Sequence, residues 1–146
     1  AFNYASRGTQ ILVALLTVII TASIIFTVAA LIPFINIKMD VYIADDTFMA
    51  EGGGYKCSIN IGDIQEVQLF DEMPKDNFTR TNGGSTDEYD VGNYKGRTYG
   101  KCMLFIWDDY SPVLMIKSSN KTVFVNSKED GYIRHMYDEL VSYAGK

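Results

Sequence analysis

Two carboxylates frame one alternating stretch of the chain, SINIGDIQEVQLFDEMP at residues 58–74, which carries Asp63 and Asp71. A general acid and base would need both groups to converge on one cleft, with their pKa values pushed apart. Asp63 instead follows Gly62 at a turn, where Asp bonds nearby backbone, and Asp71 closes a strand. Both read as turn and surface acids. Cys57 as a nucleophile would need a neighbouring base, and the sequence holds a single histidine, His135, on the polar side of a C-terminal helix. One His and two Cys on separate strands offer zinc no closely spaced ligand pair. EGGGY at 51–55 leads into a strand rather than a helix start, so it reads as a hairpin turn, not a phosphate cradle. STDEYD at 85–90 lacks the alternating oxygens and closing bidentate Glu of a calcium loop. The expectation is therefore no catalytic residue, no metal, no cofactor and no small-molecule substrate.

The two cysteines, Cys57 and Cys102, permit one disulfide, but each shares parity with apolar strand neighbours. Buried free thiols acting as small hydrophobes are the expectation. Asn77 and Asn120 begin N-x-T patterns, which matter only in a secreted eukaryotic setting.

The elements that must position these residues divide sharply. From Ile11 to Ile37 no charged residue occurs. As a helix this run spans about 40 Å, against a hydrocarbon core of roughly 30 Å. It is expected to be a single transmembrane helix ending near Pro33, with the lipid bilayer as its partner. Residues 1–38 form this anchor segment and 39–146 the globular part. Arg7 and Lys38 place one charge on each side, so the positive-inside rule sets no orientation. Residue 1 is Ala, as expected of a chain that has been processed, trimmed or renumbered.

Beyond Lys38 the pattern alternates. Strands are expected at 41–44, 47–51, 55–61, 64–70, 97–107, 113–117 and 121–126. DDT and GGG read as hairpin turns. Residues 71–96, polar and rich in Gly, Asp and Asn, read as a long, partly mobile loop with one short strand near Arg80. The 97–107 strand is apolar on both faces, so each face needs a cover. Ser127 is expected to cap a final helix with an apolar stripe of Ile133, Met136, Tyr137, Leu140 and Val141. Seven short strands leave sheet edges exposed, and a barrel closed at one end by the helix would remove them.

The residues from about Asp45 to Leu140 resemble the membrane-anchored bacterial pleckstrin-homology-like (PH-like) domains. DDTFMAEGGGYKCSINIGDIQEVQLFDEMP looks like that family's opening hairpin, its D-I-x-x-V-x-L stretch and a turn ending in Met-Pro. RTNGG, GNYKGRTYGKCMLFI and VLMIKSSNKTVFVNSKEDGYIRHMYDEL are similar to its Arg-Thr-Asn-Gly element, its approach to the long strand, and its closing hairpin and helix. The resemblance implies an α+β fold: an N-terminal transmembrane helix, then a seven-stranded PH-like β-barrel capped by a C-terminal α-helix. It implies no settled activity. Family members often carry more than one membrane segment, and this chain shows one.

Composition narrows the partners. A net charge of −5 argues against nucleic acid, and no polybasic run adjoins the apolar segment. Lys56 alone lies near the first hairpin, which argues against binding to anionic head groups. The expected function is a non-enzymatic interaction module at the cell membrane, contacting another membrane or membrane-proximal protein. Tyr89, Tyr94 and Trp107 are its candidate partner contacts, although the two tyrosines could equally pack the loop down. The alternative is a structural subunit of a pilin-like filament, with an apolar N-terminal helix and a β-rich head.

Overall fold

The computed structural model describes residues 6–35 and 37–144. Asn36, inside the expected Ile11–Ile37 run, and Gly145, expected to follow the last helical turn, lie outside the described residues. The chain divides into two compact units, Ala1–Asn36 and Ile37–Lys146.

The first unit holds α1 (Arg7–Ile35). Ser6 caps it: its hydroxyl accepts from the Thr9 N–H at 3.2 Å and its carbonyl from the Gln10 N–H at 3.0 Å. From Ile11 to Ile32, exposed Leu, Ile and Val side chains recur at successive positions, leaving no polar stripe. The hydroxyls of Thr17, Thr21 and Thr27 each donate to the carbonyl four residues back, at 2.8 Å. The helix is long and apolar enough to cross a membrane.

In the second unit nine strands form among the described residues, in two open sheets. The first sheet joins β1 (Met39–Ala44), β2 (Thr47–Gly52) and β3 (Tyr55–Asn60) as an antiparallel meander. Both turns are two residues long with positive φ throughout: Asp45 and Asp46 at 51° and 60°, Gly53 and Gly54 at 58° and 85°. That geometry matches the strand twist, and Gly and Asp tolerate it. A short 3₁₀ turn, Ile61–Asp63, leads into β4 (Ile64–Phe70).

The second sheet adds β5 (Thr79–Ser85), β6 (Tyr89–Gly96), β7 (Gly100–Trp107), β8 (Val113–Ser118) and β9 (Thr122–Val125). Its order is β4-β8-β9-β7-β6-β5, with β9 parallel to β7 and the other pairs antiparallel. β5 covers the short strand expected near Arg80, and β6 is a further strand in the stretch read as a loop; the two form a hairpin. Their backbones approach closely: a Cβ on Gly83 would stand 2.2 Å from the Val91 carbonyl oxygen, and one on Gly92 2.6 Å from that of Asn82. Glycine here is a strand residue at a close approach, not a sign of mobility.

Barrel closure is not what the pairing shows, because β1, β3, β4 and β5 all remain edges. The edges are blunted locally. A bulge interrupts β4 between Ile64 and Glu66, β5 is polar and glycine-rich, and Lys121 donates to the Ser58 carbonyl of β3 at 2.7 Å.

Both faces of the six-stranded sheet are covered. On one face Phe105, Leu114, Ile116, Val123 and Val125 meet Phe48, Ala50, Cys57 and Ile59 of the first sheet. α2 (Tyr132–Ala144) joins this core through Ile133, Met136 and Leu140 and lies on β4 and β8. Each large side chain buried there contributes about 1.5–3 kcal/mol. On the other face Cys102, Leu104, Ile106, Met115 and Phe124 pack under Phe70, Met73, Phe78 and Tyr99. Phe124 takes edge-on contacts from Phe78 and Tyr99, at 5.5 and 5.1 Å between ring centroids. The β4–β5 connection is thus the second cover that the doubly apolar strand required.

α2 starts later than its expected cap. Ser127 accepts from the Glu129 N–H at 3.0 Å, capping a turn, and Gly131 at φ 78° breaks the path before the helix begins at Tyr132. Val141, expected on the buried stripe, is 43 % exposed.

Candidate functional site

Asp63 and Asp71 sit at opposite ends of β4, both exposed and roughly 25 Å apart at ~3.3 Å per residue. They do not converge. Cys57 belongs to the core between the sheets and Cys102 to the opposite face, and both are free thiols. Burial raises the Cys57 thiol, against a lowering pull from Lys121, and burial pushes Cys102 up to about 11, with the Asp76 charge adding to it. Neither is poised as a thiolate nucleophile. His135 is exposed on α2. Among the described residues no group of three metal-ligating side chains forms.

Two buried polar side chains, Asp76 in the expected loop and Asn126 at the end of the expected 121–126 strand, hold the turns of the long strand. Asp76 is 7 % exposed. Its carboxylate accepts from the Thr98 N–H at 2.8 and 3.0 Å and the Tyr99 N–H at 2.9 Å, which pins the β6–β7 turn. Burial raises this carboxyl, but the backbone donors and the nearby Arg97 charge outweigh it and hold it below the ordinary carboxylate range. Gly96 is required beside it, because a Cβ there would stand 2.2 Å from Asp76 Oδ2. Asn126, 2 % exposed, pins the β7–β8 turn. Its amide donates to the Trp107 and Tyr110 carbonyls at 2.7 and 3.0 Å and accepts from the Trp107 N–H at 2.6 Å. The local signal for both was a polar residue set among aromatic neighbours, Phe78 in one case and Phe124 in the other.

That second turn borders a groove of about 640 Å³ lined by Asp71, Met73, Asp90, Trp107, Asp108 and Tyr110, among others. Tyr89 packs edge-on against Trp107 at 6.0 Å. The Lys128 ammonium lies 4.0 Å from the Trp107 ring centroid and 5.9 Å from that of Tyr110. Burial, and then the charges of Asp90 and Asp109, push Asp108 up to about 6.

No family model, curated protein or solved structure matches this chain.

The three candidate contacts fare differently. Tyr89 and Tyr94 are 3 % and 5 % exposed, with the Tyr94 hydroxyl donating to the Gly84 carbonyl at 3.1 Å. Burial pushes the Tyr94 hydroxyl up to about 12. Both rings pack the β5–β6 hairpin down, which the sequence had left open. Trp107 is half-buried at the groove, and Tyr110, not singled out in the sequence, is 42 % exposed beside it.

Proposed function

We propose that this chain is a membrane-tethered, non-enzymatic interaction module of the PH-like kind, with α1 in the bilayer of a cell membrane and the β unit contacting another membrane or membrane-proximal protein. The observation that carries the reading is α1. It is 29 residues long, its large apolar side chains from Ile11 to Ile32 are exposed, and three threonine hydroxyls find acceptors within the helix itself. That is the chemistry of a segment solvated by lipid, where polar groups must be satisfied internally. The PH-like assignment draws its support from element order, antiparallel hairpins followed by a C-terminal helix packed on the sheet.

The contact surface is the groove around Trp107 and Tyr110. Aromatic rings beside a polar rim are the residue types that dominate interface energetics. A tether raises local concentration, so weak contacts suffice. A photo-crosslinking residue at position 110 of the full chain in native membranes tests this. A discrete adduct with one membrane protein is expected, reduced at least fivefold by Trp107→Ala. An adduct unaffected by that substitution would contradict the surface. Long filaments of detergent-extracted protein under the electron microscope would favour the pilin-like alternative.

A further inference from the structure

At the opposite end of the same ribbon, a groove of about 450 Å³ is lined by Lys95, Lys101 and Lys121 with Asn82, Asn93 and Asn120. Its remaining lining supplies no carboxylate and no arginine. Lys95 and Lys101 stand directly opposite each other across β6 and β7, a like-charge pairing that costs stability when nothing answers it. Lys121 immediately precedes β9, which runs parallel beside β7, and lines the same groove. Among the described residues the one ion pair is Lys56–Glu51, at 3.5 Å, so none of the three lysines has a carboxylate partner. In a chain of net charge −5 this is a local concentration of the minority sign.

We propose that this groove binds a phosphate group, as free phosphate or on a small soluble phosphate ester. Lysine ammoniums are compact point donors that suit a tetrahedral oxyanion approached from several directions, whereas planar carboxylates are better matched by arginine forks, which are absent from this lining. Lys121 is held by its bond to the Ser58 carbonyl and keeps two further N–H donors. The Tyr55 hydroxyl donates to Asn82 Oδ1 at 2.9 Å, which leaves the Asn82 amide N–H groups to donate. The volume suits a small ligand. The large apolar side chains exposed in this unit are Tyr110, Val141 and Tyr143, and none of them lines the groove, which favours a soluble phosphate over a lipid-borne one. The site goes beyond the partner reading and does not depend on it.

The test is calorimetric titration of the full chain in non-ionic maltoside micelles with inorganic phosphate and pyrophosphate, against chloride at matched ionic strength. Saturable one-to-one binding is expected, weakened about 5–10-fold by either Lys95→Gln or Lys101→Gln and unchanged by Lys56→Gln. Thermal melts of each variant establish folding, and both substituted lysines are exposed. A response equal to that of chloride, or one unaffected in the Lys95→Gln/Lys101→Gln double variant, overturns the proposal. Flotation with phosphatidylglycerol vesicles in the absence of any free-phosphate binding overturns the soluble source. Tighter binding of a polyglutamate peptide than of pyrophosphate overturns the phosphate assignment.

Discussion

At its Lys101 end the β6–β7 ribbon gathers three lysines with no acid among them, whereas its Trp107 end crowds Asp90, Asp108 and Asp109 around an aromatic pair. From Lys101 to Ile106 is roughly 17 Å at ~3.3 Å per residue, about twice the Debye length of ~8 Å at physiological salt. The ends are electrically separate, so each must settle its charges locally. The Trp107 end does so in part: Lys128 covers the rings, and Asp108 titrates high. The Lys101 end leaves its ammoniums facing one another. The turns differ in the same way. A neutral amide, Asn126, holds the acidic end, and a buried carboxylate, Asp76, holds the basic end. Each clasp avoids adding the sign of charge already crowded beside it.

The largest expected effect comes from breaking the neutral clasp. Asn126→Ala leaves the Trp107 N–H and two carbonyls without their partner and should cost about 2–4 kcal/mol in urea denaturation of the full chain in micelles. Asp76→Asn should cost less, because the amide oxygen still accepts from one of the two turn N–H groups, and should change the acid limb. The folded Asp76 pKa lies below its unfolded value. Its contribution is therefore complete above the unfolded value and is lost as pH falls through the folded one. Melting curves between pH 5 and pH 2 should be flatter for Asp76→Asn than for the parent.

Asp108 carries the opposite sign. Its folded pKa, about 6, lies above the unfolded value, so its contribution is complete below the unfolded pKa and disappears as pH rises through about 6. For this half-buried group, screened by solvent, the effect is on the order of 1 kcal/mol. The parent should melt higher at pH 5 than at pH 7.5, and Asp108→Asn should lose that difference. The smallest effect belongs to the basic end. Without phosphate, Lys101→Gln should stabilise by about 0.2–0.5 kcal/mol at low salt and by nothing measurable at 1 M salt.

The local parts of this design are legible in the sequence. Asp45–Asp46 and Gly53–Gly54 specify two hairpins because the turn type depends on its own residues. The apolar run specifies α1, and the Ile133–Met136–Leu140 stripe specifies the buried side of α2. Of the β5–β6 hairpin only a short strand near Arg80 was legible, because a polar, glycine-rich pair of strands carries little alternation, and its stability comes from close backbone approach and from rings at Tyr89 and Tyr94. Two-sided apolarity at 100–107 announced a second cover, but Met73 and Phe78 are too few to identify residues 71–78 as that cover. Asp76 looks like a loop acid and Asn126 like the end of a strand until their burial is seen. The lysine groove was hidden for a topological reason: Lys95 and Lys101 pair across the β6–β7 hairpin, but Lys121 joins them through the parallel placement of β9 beside β7, a pairing no local pattern encodes.

The most direct test of the central claim is protease digestion of the full chain in sealed membrane vesicles, followed by alkaline carbonate extraction. A lipid-solvated α1 predicts a protected fragment containing residues 11–32 that stays in the membrane pellet, with the β unit cut from it on one side of the bilayer only. Recovery of the intact chain in the carbonate supernatant, or cleavage within 11–32, would contradict it.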